Sequence, residues 1–490
     1  MIAMTMGTAT GPAKLQAVTD LVNKLSDDLE RISLLPKDRN DALEELKIYG
    51  RDPNYADPIF TTDGITMLLR YAFQNNSSET ARAALRVIAN AMLLKPETRQ
   101  MFVSQGYPTQ ACDHLGADHW DNEFLLSRIL FLSTYGTNVD LIGLIENHQL
   151  AEHIINNLER HVKILSDKQK QVLEPMEDMA LGETLKLMFN VTHFCKTKVS
   201  AFTPAVCYII SLLWKQDISE GKPLEPPFGP LVNSLLNLDL QADESQLALY
   251  PKEDPNKVTS RIVELLDRGI RAYGGNDLET IVTPVISLLS KLYETAPQDV
   301  RQRLCECLLP TAEDRQAVLG QGESLPSKLL KNSTNPTAPA LRDAISHLLF
   351  DLSDKDASKF VDNVGYGFAS GFLFQNNVPI PESMSASLEK SDASGIQKPV
   401  NPITGQFLNT EKFANEPEMT DEEKEREAER LFVLFERFVR PATTVCVQRY
   451  IDDLSRLKKT GVIRVQNPVE KAAQEGRFEE LSDDYVEELD

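Results

Sequence analysis

The chain has 490 residues, with 51 Lys or Arg and 73 Asp or Glu, and a formal net charge of −22. Such an acidic balance argues against binding to nucleic acid or to an anionic membrane surface, because both select basic proteins. The six cysteines are scattered without zinc-site spacing and predict reduced thiols in a cytoplasmic protein. No window holds the roughly 18 to 20 apolar residues of a membrane-spanning helix, so we expect no membrane insertion.

Amphipathic helices are the first recurrent feature along the chain. The stretches 81–94, 181–194 and 341–352 place apolar residues at i, i+3, i+4 and i+7, which is the period of a helix with one buried face. Prolines at intervals, such as Pro96, Pro204 and Pro310, end these segments after about ten to fifteen residues. We find no run of alternating strands, and the pattern therefore predicts an all-α fold.

Several of these helices resemble one another. Residues 85–90 (LRVIAN) and 185–190 (LKLMFN) share one pattern, and residues 232–237 (VNSLLN) are a looser copy. A weak helical period near 40 residues is typical of armadillo and HEAT repeats. Such repeats bury a core only between neighbours and so continue as one unit. We predict a right-handed superhelical solenoid of roughly eight or nine repeats over residues 1–375.

The composition changes after the predicted solenoid. Residues 376–419 are rich in Ser, Pro and Asn and predict a flexible linker. In the last segment, 420–490, Thr420 and Glu423 form a capping box at the start of a helix, and an acidic tail ends the chain. One face of that helix is apolar and must dock, either capping the last repeat or clamping a partner; it carries Leu431, Phe432, Leu434, Phe435 and Phe438.

Polar residues recur within the apolar repeat helices. A buried amide needs hydrogen-bond partners, so each Asn either bonds a neighbouring repeat or lines a groove that holds a peptide backbone; the four are Asn90, Asn190, Asn233 and Asn237. Basic residues accompany them and are either solvated surface or a local basic lining; they include Arg70, Arg86, Lys186, Arg301, Arg303, Lys328 and Lys331. Both alternatives stay open at this point.

Motifs for covalent chemistry are missing from the sequence. The glycines of residues 365–371 follow a helix rather than a strand and favour a turn over a phosphate loop. The seven histidines lack metal-ligand spacing. We therefore predict no catalytic residues, no metal and no cofactor, which leaves a binding protein rather than an enzyme.

Four stretches resemble the synembryn family of exchange factors and chaperones for the α subunits (Gα) of heterotrimeric G proteins. They are residues 185–192 (LKLMFNVT), 359–373 (KFVDNVGYGFASGFL), 400–405 (VNPITG) and 419–438 (MTDEEKEREAERLFVLFERF), in the family's order and spacing. The resemblance extends from about residue 40 to 440.

The resemblance implies an armadillo-type solenoid whose concave face takes the C-terminal helix of Gα. By position, Asn90 and Arg70 are implied groove residues. The basic positions near 301–303 and 328–331 resemble a cluster that faces the carboxylate end of that helix. The helix over 420–440 is similar to the element that clamps the nucleotide-side switch region of Gα. The serines between 383 and 394 lack the acidic residue three positions on that family phosphosites have, so no phosphorylation site is carried over.

The function implied is stabilisation of nucleotide-free Gα, release of GDP, and assistance with Gα folding. We expect a cytoplasmic monomer that reaches the plasma membrane only through Gα. The alternative is a passive solenoid adaptor that binds another helix or peptide without causing exchange.

Overall fold

A computed structural model describes residues 9–74, 77–117, 119–167, 175–379, 400–401 and 404–407. The chain divides into two compact units, Met1–Asn409 and Thr410–Asp490. All described residues belong to the first unit, which we call the helical unit.

The described residues form 20 α-helices, three short 3-10 helices and one isolated antiparallel bridge between Val400 and Phe407. The all-α prediction is thus confirmed. The α-helices are α1 (Pro12–Arg31), α2 (Pro36–Gly50), α3 (Thr62–Phe73), α4 (Ser78–Leu94), α5 (Glu97–Ser104), α6 (Tyr107–His114), α7 (Trp120–Ser133), α8 (Leu141–Asn147), α9 (Leu150–Asp167), α10 (Pro175–Phe194), α11 (Ala205–Lys215), α12 (Phe228–Asn237), α13 (Asp243–Leu249), α14 (Lys257–Ala272), α15 (Gly275–Thr295), α16 (Gln298–Leu308), α17 (Leu325–Asn332), α18 (Pro339–Asp351), α19 (Ala357–Val364) and α20 (Tyr366–Gln375). The 3-10 helices are Asp57–Phe60, Lys196–Phe202 and Asp314–Gln316.

Side-chain caps fix where several helices begin. The Thr61 hydroxyl accepts a hydrogen bond from the backbone N–H of Gly64 at 3.0 Å, at the start of α3. The Asp356 carboxylate accepts one from Lys359 N–H at 2.9 Å, at the start of α19. These caps satisfy backbone donors that have no partner within the helix.

Pro284 lies inside α15, which runs from Gly275 to Thr295. A proline has no N–H to donate to the carbonyl four residues earlier and normally ends a helix. Burial of Val282, Val285 and neighbouring apolar residues on both sides of it holds the helix together through this position.

Six helices stack side by side as the centre of the unit, and we call them the central row. In order they are α4, α7, α10, α12, α15 and α18, and each contacts the next. Each also sends at least one aliphatic side chain into the core with at most 1% exposure, among them Ile88, Ile129, Leu187, Leu231, Leu289 and Leu348. Helices buried against neighbouring repeats in this way confirm the armadillo/HEAT-type solenoid.

A charged cluster is buried between α7, α9 and α10. The Glu123 carboxylate is fully buried and accepts hydrogen bonds from His161 Nε2 at 2.9 Å and from the Thr184 hydroxyl at 2.7 Å. The Arg160 guanidinium also pairs with it and lies 4.3 Å from the ring centroid of Trp120. Burial acts to raise the pKa of Glu123, but these hydrogen bonds and positive charges outweigh it and lower the pKa.

Within the described residues, no single helix combines the length and hydropathy needed to cross a membrane. One pair, Lys196–Phe202 with Ala205–Lys215, reaches that length and composition only together and is bent by 63°.

Candidate partner-binding site

The central-row helices bring their C-terminal ends together at one edge. The Asn190 amide donates to the hydroxyl of Thr134, the residue that ends α7, at 2.7 Å. The Asn237 amide, at the end of α12, donates to the backbone carbonyl of Phe189 in the last turns of α10 at 3.0 Å. The C-terminal ends of these neighbouring helices lie side by side. The helices α7, α10 and α12 therefore run parallel, as equivalent helices of successive solenoid repeats do.

Lys291 extends the same arrangement to α15. Its ammonium donates to the backbone carbonyls of Leu236 at 3.0 Å and Leu238 at 2.7 Å. These carbonyls lie at the end of α12, where backbone acceptors lack partners within the helix and the helix dipole favours a cation. Burial lowers the pKa of Lys291.

The face of the central row that is not packed into the core forms a continuous surface, which we call the open face. On α4 it carries Arg82, Arg86 and Asn90, spaced four residues apart and all half-buried. Arg86 pairs with Asp121 of α7 at 3.1 Å. The Asn90 side chain is half-buried and makes no hydrogen bond to another described residue.

The open face continues across α7 and α10 with alternating charge. Arg128 lies 3.9 Å from the carboxylate of Glu183, and the exposed Lys186 pairs with that carboxylate at 2.9 Å. The predicted basic lining is thus interleaved with carboxylates over the described part of the row. A polar helix lying here meets both donors and acceptors.

Aromatic rings occupy the C-terminal end of α10. His193 stacks on Phe189 with ring centroids 6.1 Å apart and meets Phe194 edge-on at 5.2 Å. Phe194 is 54% exposed. A cavity of about 560 Å³ opens beside this end, between α10 and α12; its lining includes Thr192, Lys196, Leu236, Asn237 and Asp239.

Asn233 and Arg70 complete the predicted groove residues on the earlier helices. Asn233 is half-buried on α12 and, within the described residues, its amide has no hydrogen-bond partner. Arg70 lies on α3, outside the central row, and pairs with Glu30 of α1 at 2.8 Å.

Arg301 and Arg303 lie on α16 in different environments. The Arg301 guanidinium donates to the carbonyl of Glu294 at 2.7 Å and lies 5.5 Å from the ring centroid of Tyr293. It therefore closes the end of α15. Arg303 is exposed and pairs only locally, with Glu306 at 3.1 Å.

Lys328 and Lys331 lie on α17, which contacts α16. Lys328 pairs with Glu323 at 2.8 Å, and its hydrogen bond and charge lower the pKa of that exposed carboxyl. Lys331 is exposed and has no ion pair within the described residues. Of the predicted basic cluster, Arg303 and Lys331 are the side chains most open to a partner.

The predicted clamping helix lies outside the described residues, together with Leu431, Phe432, Leu434, Phe435 and Phe438. Its role stays a prediction. Across the residues that the structure does describe, no group of three or more His, Cys, Asp or Glu side chains is placed to hold a metal ion.

Sequence reasoning missed Arg128, His193 and Phe194 as members of the open face. Arg128 lies on α7, where residues 127–132 (SRILFL) keep the basic and the two following apolar positions of the repeat pattern but lack its Leu and Asn. The signal for the aromatic pair was present: His193 and Phe194 follow Phe189 and Asn190 at the spacing of one helical turn.

The fold and the open face together define the class of protein: a helical-repeat solenoid with a long polar and aromatic surface along its central row. Comparison with known families gives the family. The model described as guanine nucleotide exchange factor synembryn, Ric8, matches residues 42–477, and the chain belongs to this family.

Curated relatives agree with this assignment. The chain is 26% identical over 382 residues to a synembryn-like chaperone of Schizosaccharomyces pombe, a match covering 73% of this chain and 66% of that protein. It is 25% identical over 441 residues to the chaperone Ric-8A of Macaca fascicularis, covering 83% and 82% of the two chains. It is 25% identical over 468 residues to chaperone Ric-8A of Gallus gallus, covering 84% and 83%.

Proposed function

We propose that this protein binds Gα, stabilises its nucleotide-free state and thereby promotes GDP release, and that it assists Gα folding. The observation that carries the proposal is membership of the synembryn family over residues 42–477. The protein acts in the cytoplasm as a monomer, needs no cofactor, and reaches the plasma membrane only through Gα.

The open face is the proposed seat of the C-terminal helix of Gα. Asn90 and Asn233 offer amides that have no hydrogen-bond partner among the described residues, and Phe194 offers an exposed ring for an apolar side chain. Arg70, Arg86 and Lys186 guide acidic positions of the bound helix. Asn190 and Asn237 shape the seat by holding adjacent repeats together.

Arg303 and Lys331 attract the carboxylate end of the bound helix. Both are exposed, so a carboxylate can approach them without first displacing a buried partner. Arg301 and Lys328 support them: Arg301 closes the end of α15 and Lys328 neutralises Glu323.

Exchange follows from differential binding and needs no bond to be made or broken. A protein that binds nucleotide-free Gα more tightly than GDP-bound Gα must weaken GDP by the same factor. Moving the equilibrium from 1:99 to 99:1 takes about 5.5 kcal/mol of such preference. GTP binding reverses the preference and releases the complex.

The chaperone role uses the same preference. In this proposal, an immature Gα without nucleotide is the state that the protein prefers, and its C-terminal helix binds the open face. Sequestering that helix on the open face shields the immature protein from association with other chains. The helix that the sequence pattern predicts over residues 420–440 is proposed to add a second contact through its apolar stripe, led by Leu431 and Phe435.

The test is the rate of labelled-GDP release from purified Gα with and without the full-length protein. We expect acceleration by the wild type and a loss of it in Phe194→Asp, which places a charge among the aromatic rings of α10. Leu247→Asp is the matched control, since Leu247 is also exposed, at 68%, but lies on α13 outside the central row.

Unchanged GDP release together with tight binding of the Gα C-terminal peptide would mean a passive adaptor and contradict the exchange proposal. Equal effects of Phe194→Asp and Leu247→Asp would contradict the assignment of the open face as the seat.

A further inference from the structure

Lys291 lies on α15 and holds the turn that ends the neighbouring helix α12. We call this turn, residues 236–238, the end turn. The Lys291 ammonium donates to its first carbonyl, that of Leu236, at 3.0 Å and to its last, that of Leu238, at 2.7 Å. The two bonds flank Asn237, so a single side chain from the next helix fixes the backbone that carries this amide.

The Asn237 amide passes this constraint on to the last turns of α10. It donates to the backbone carbonyl of Phe189 at 3.0 Å. The ring of Phe189 stacks on His193, which meets the exposed ring of Phe194 edge-on. A continuous series of contacts therefore leads from Lys291 to the aromatic end of the open face.

The end turn also forms one wall of the cavity of about 560 Å³ beside this aromatic end. Thr192 and Lys196 line the cavity from the side of α10, and Asn237 and Asp239 line it from the side of α12. A shift of the end turn would therefore change the width of the cavity and the position of the aromatic rings together.

Lys291 is half-buried, and burial lowers the pKa of its ammonium. The opposite charges of Asp239 and Glu294 act against this effect, and the end of a helix favours a cation. A hydrocarbon side chain of the same length would leave both carbonyls of the end turn without this donor, which is costly for buried acceptors. We therefore expect the end turn to move when the ammonium is removed.

We propose that Lys291 is a positioning residue for the aromatic end of the open face. It acts through the end turn and Asn237, which hold the last turns of α10 in the conformation that a bound helix meets. The inference rests on the proposed function, in which the C-terminal helix of Gα binds this face. Binding residues that are held in place by supporting hydrogen bonds lose less freedom on binding, and this raises affinity.

The experiment compares the full-length wild type with Lys291→Met, Lys291→Arg and Asn237→Ala. Lys291→Met keeps the length of the side chain and removes its donors, whereas Lys291→Arg keeps a charge and donors. Asn237→Ala breaks the same series of contacts at its next bond, so it tests the inference even where Lys291→Met does not fold. Lys163→Met is the control, because Lys163 is exposed on α9, outside the central row, and pairs with Glu159 of its own helix.

Three measurements separate the effects. Amide hydrogen exchange of residues 189–194 reports the aromatic end without a partner, denaturant midpoints report folding, and the affinity for the isolated Gα C-terminal peptide reports the seat. We expect Lys291→Met and Asn237→Ala to speed exchange in residues 189–194 and to weaken peptide binding about tenfold, under conditions where both are folded. Lys291→Arg should stay close to the wild type, and Lys163→Met should change neither quantity.

Coupling to Phe194 distinguishes positioning from a merely structural role. If Lys291 acts through this ring, Lys291→Met should weaken peptide binding much less in a Phe194→Ala background, because the ring that it positions is gone. Asn237→Ala should show the same dependence. A residue that only stabilises the fold would leave the affinity of the folded protein unchanged, or lower it by the same factor in both backgrounds.

Peptide affinity that stays at the wild-type value in both Lys291→Met and Asn237→Ala overturns the inference alone. Unchanged hydrogen exchange in residues 189–194, or an equal loss of affinity in the two backgrounds, does the same. A wild type that does not bind the Gα peptide contradicts the proposed seat itself, and the positioning role then falls with it.

Discussion

Cationic side chains close the ends of several helices. Arg99 donates to the carbonyl of Met92 at 2.7 Å and so closes α4, as Lys291 closes α12 and Arg301 closes α15. The carbonyls at a helix end lack internal partners and attract positive charge. Because each cation comes from a different helix, each contact also joins neighbouring elements.

The buried carboxylate of Glu123 leads to a prediction about the stability of the fold. Replacing it by Gln leaves the donors of His161, Thr184 and Arg160 with a neutral and less suitable acceptor. We expect Glu123→Gln to lower the free energy of unfolding by about 1–3 kcal/mol at pH 7, measured from denaturant midpoints of the full chain. Glu159→Gln, which removes an exposed pair with Lys163, should leave the midpoint unchanged.

The loss of stability in Glu123→Gln should depend on pH, because the pKa of Glu123 is lowered in the folded protein. A carboxyl whose pKa is lower in the folded state stabilises the fold above its unfolded pKa of about 4.3, and the benefit is lost as the pH falls below it. The difference in free energy of unfolding between wild type and Glu123→Gln should therefore be full at pH 7 and shrink below about pH 4. A gap that widens on acidification would contradict the assignment.

At the scale of elements, helical periodicity predicted where the helices lie but not all of their ends. The segment 81–94 falls within α4 (Ser78–Leu94), and 181–194 is the later part of α10 (Pro175–Phe194). Proline normally ends a helix, but Pro284 lies within α15, because packing on both sides outweighs one missing hydrogen bond. Stabilisation of a helix by packing against other helices cannot be read from its local sequence pattern.

Replacing either of two helical glycines by alanine should change the stability of the protein, in opposite directions. A Cβ on Gly182 of α10 would meet nothing within 4 Å, whereas one on Gly64 of α3 would collide with the carbonyl of Pro58. We expect Gly182→Ala to stabilise the protein by about 0.5–1 kcal/mol through helix propensity, and Gly64→Ala to destabilise it by about 1–3 kcal/mol through overpacking. Denaturant midpoints of the two full-length variants give the signs; the same sign for both would contradict the packing described here.

The turn at residues 401–405 shows what a sequence pattern leaves out. Residues 401–405 (NPITG) predicted a turn, but its docking depends on Arg315, which is 90 residues away. Arg315 belongs to no repeat pattern and carries no motif. The partner of a turn is set by the tertiary fold, which local sequence does not report.

The site was predicted in part for a related reason. The repeated Asn positions, such as Asn190 and Asn237, lie on helices of the central row, and their role in partner binding stays a prediction. Whether an amide bonds a neighbour or stays free depends on the distance between helices. Asn190 and Asn237 bond the preceding repeat, while Asn90 and Asn233 have no partner among the described residues. Composition alone could not separate the two pairs.

At the scale of the whole molecule, the repeat period predicted a solenoid where chain length alone suggested about three domains. Each repeat contacts mainly its neighbours, so the stack continues past the usual size of one core. The acidic net charge of −22 coexists with a surface of alternating sign on the open face. The proposed recognition of a Gα helix depends on that local surface rather than on the total charge.

The central claim is that the protein prefers one nucleotide state of Gα, and the most direct measurement is its affinity for nucleotide-free and for GDP-bound Gα under the same conditions. We predict tighter binding to nucleotide-free Gα, by the same factor by which the protein weakens GDP. Equal affinity for the two states would contradict the account, because a partner without differential affinity cannot shift the equilibrium toward GDP release.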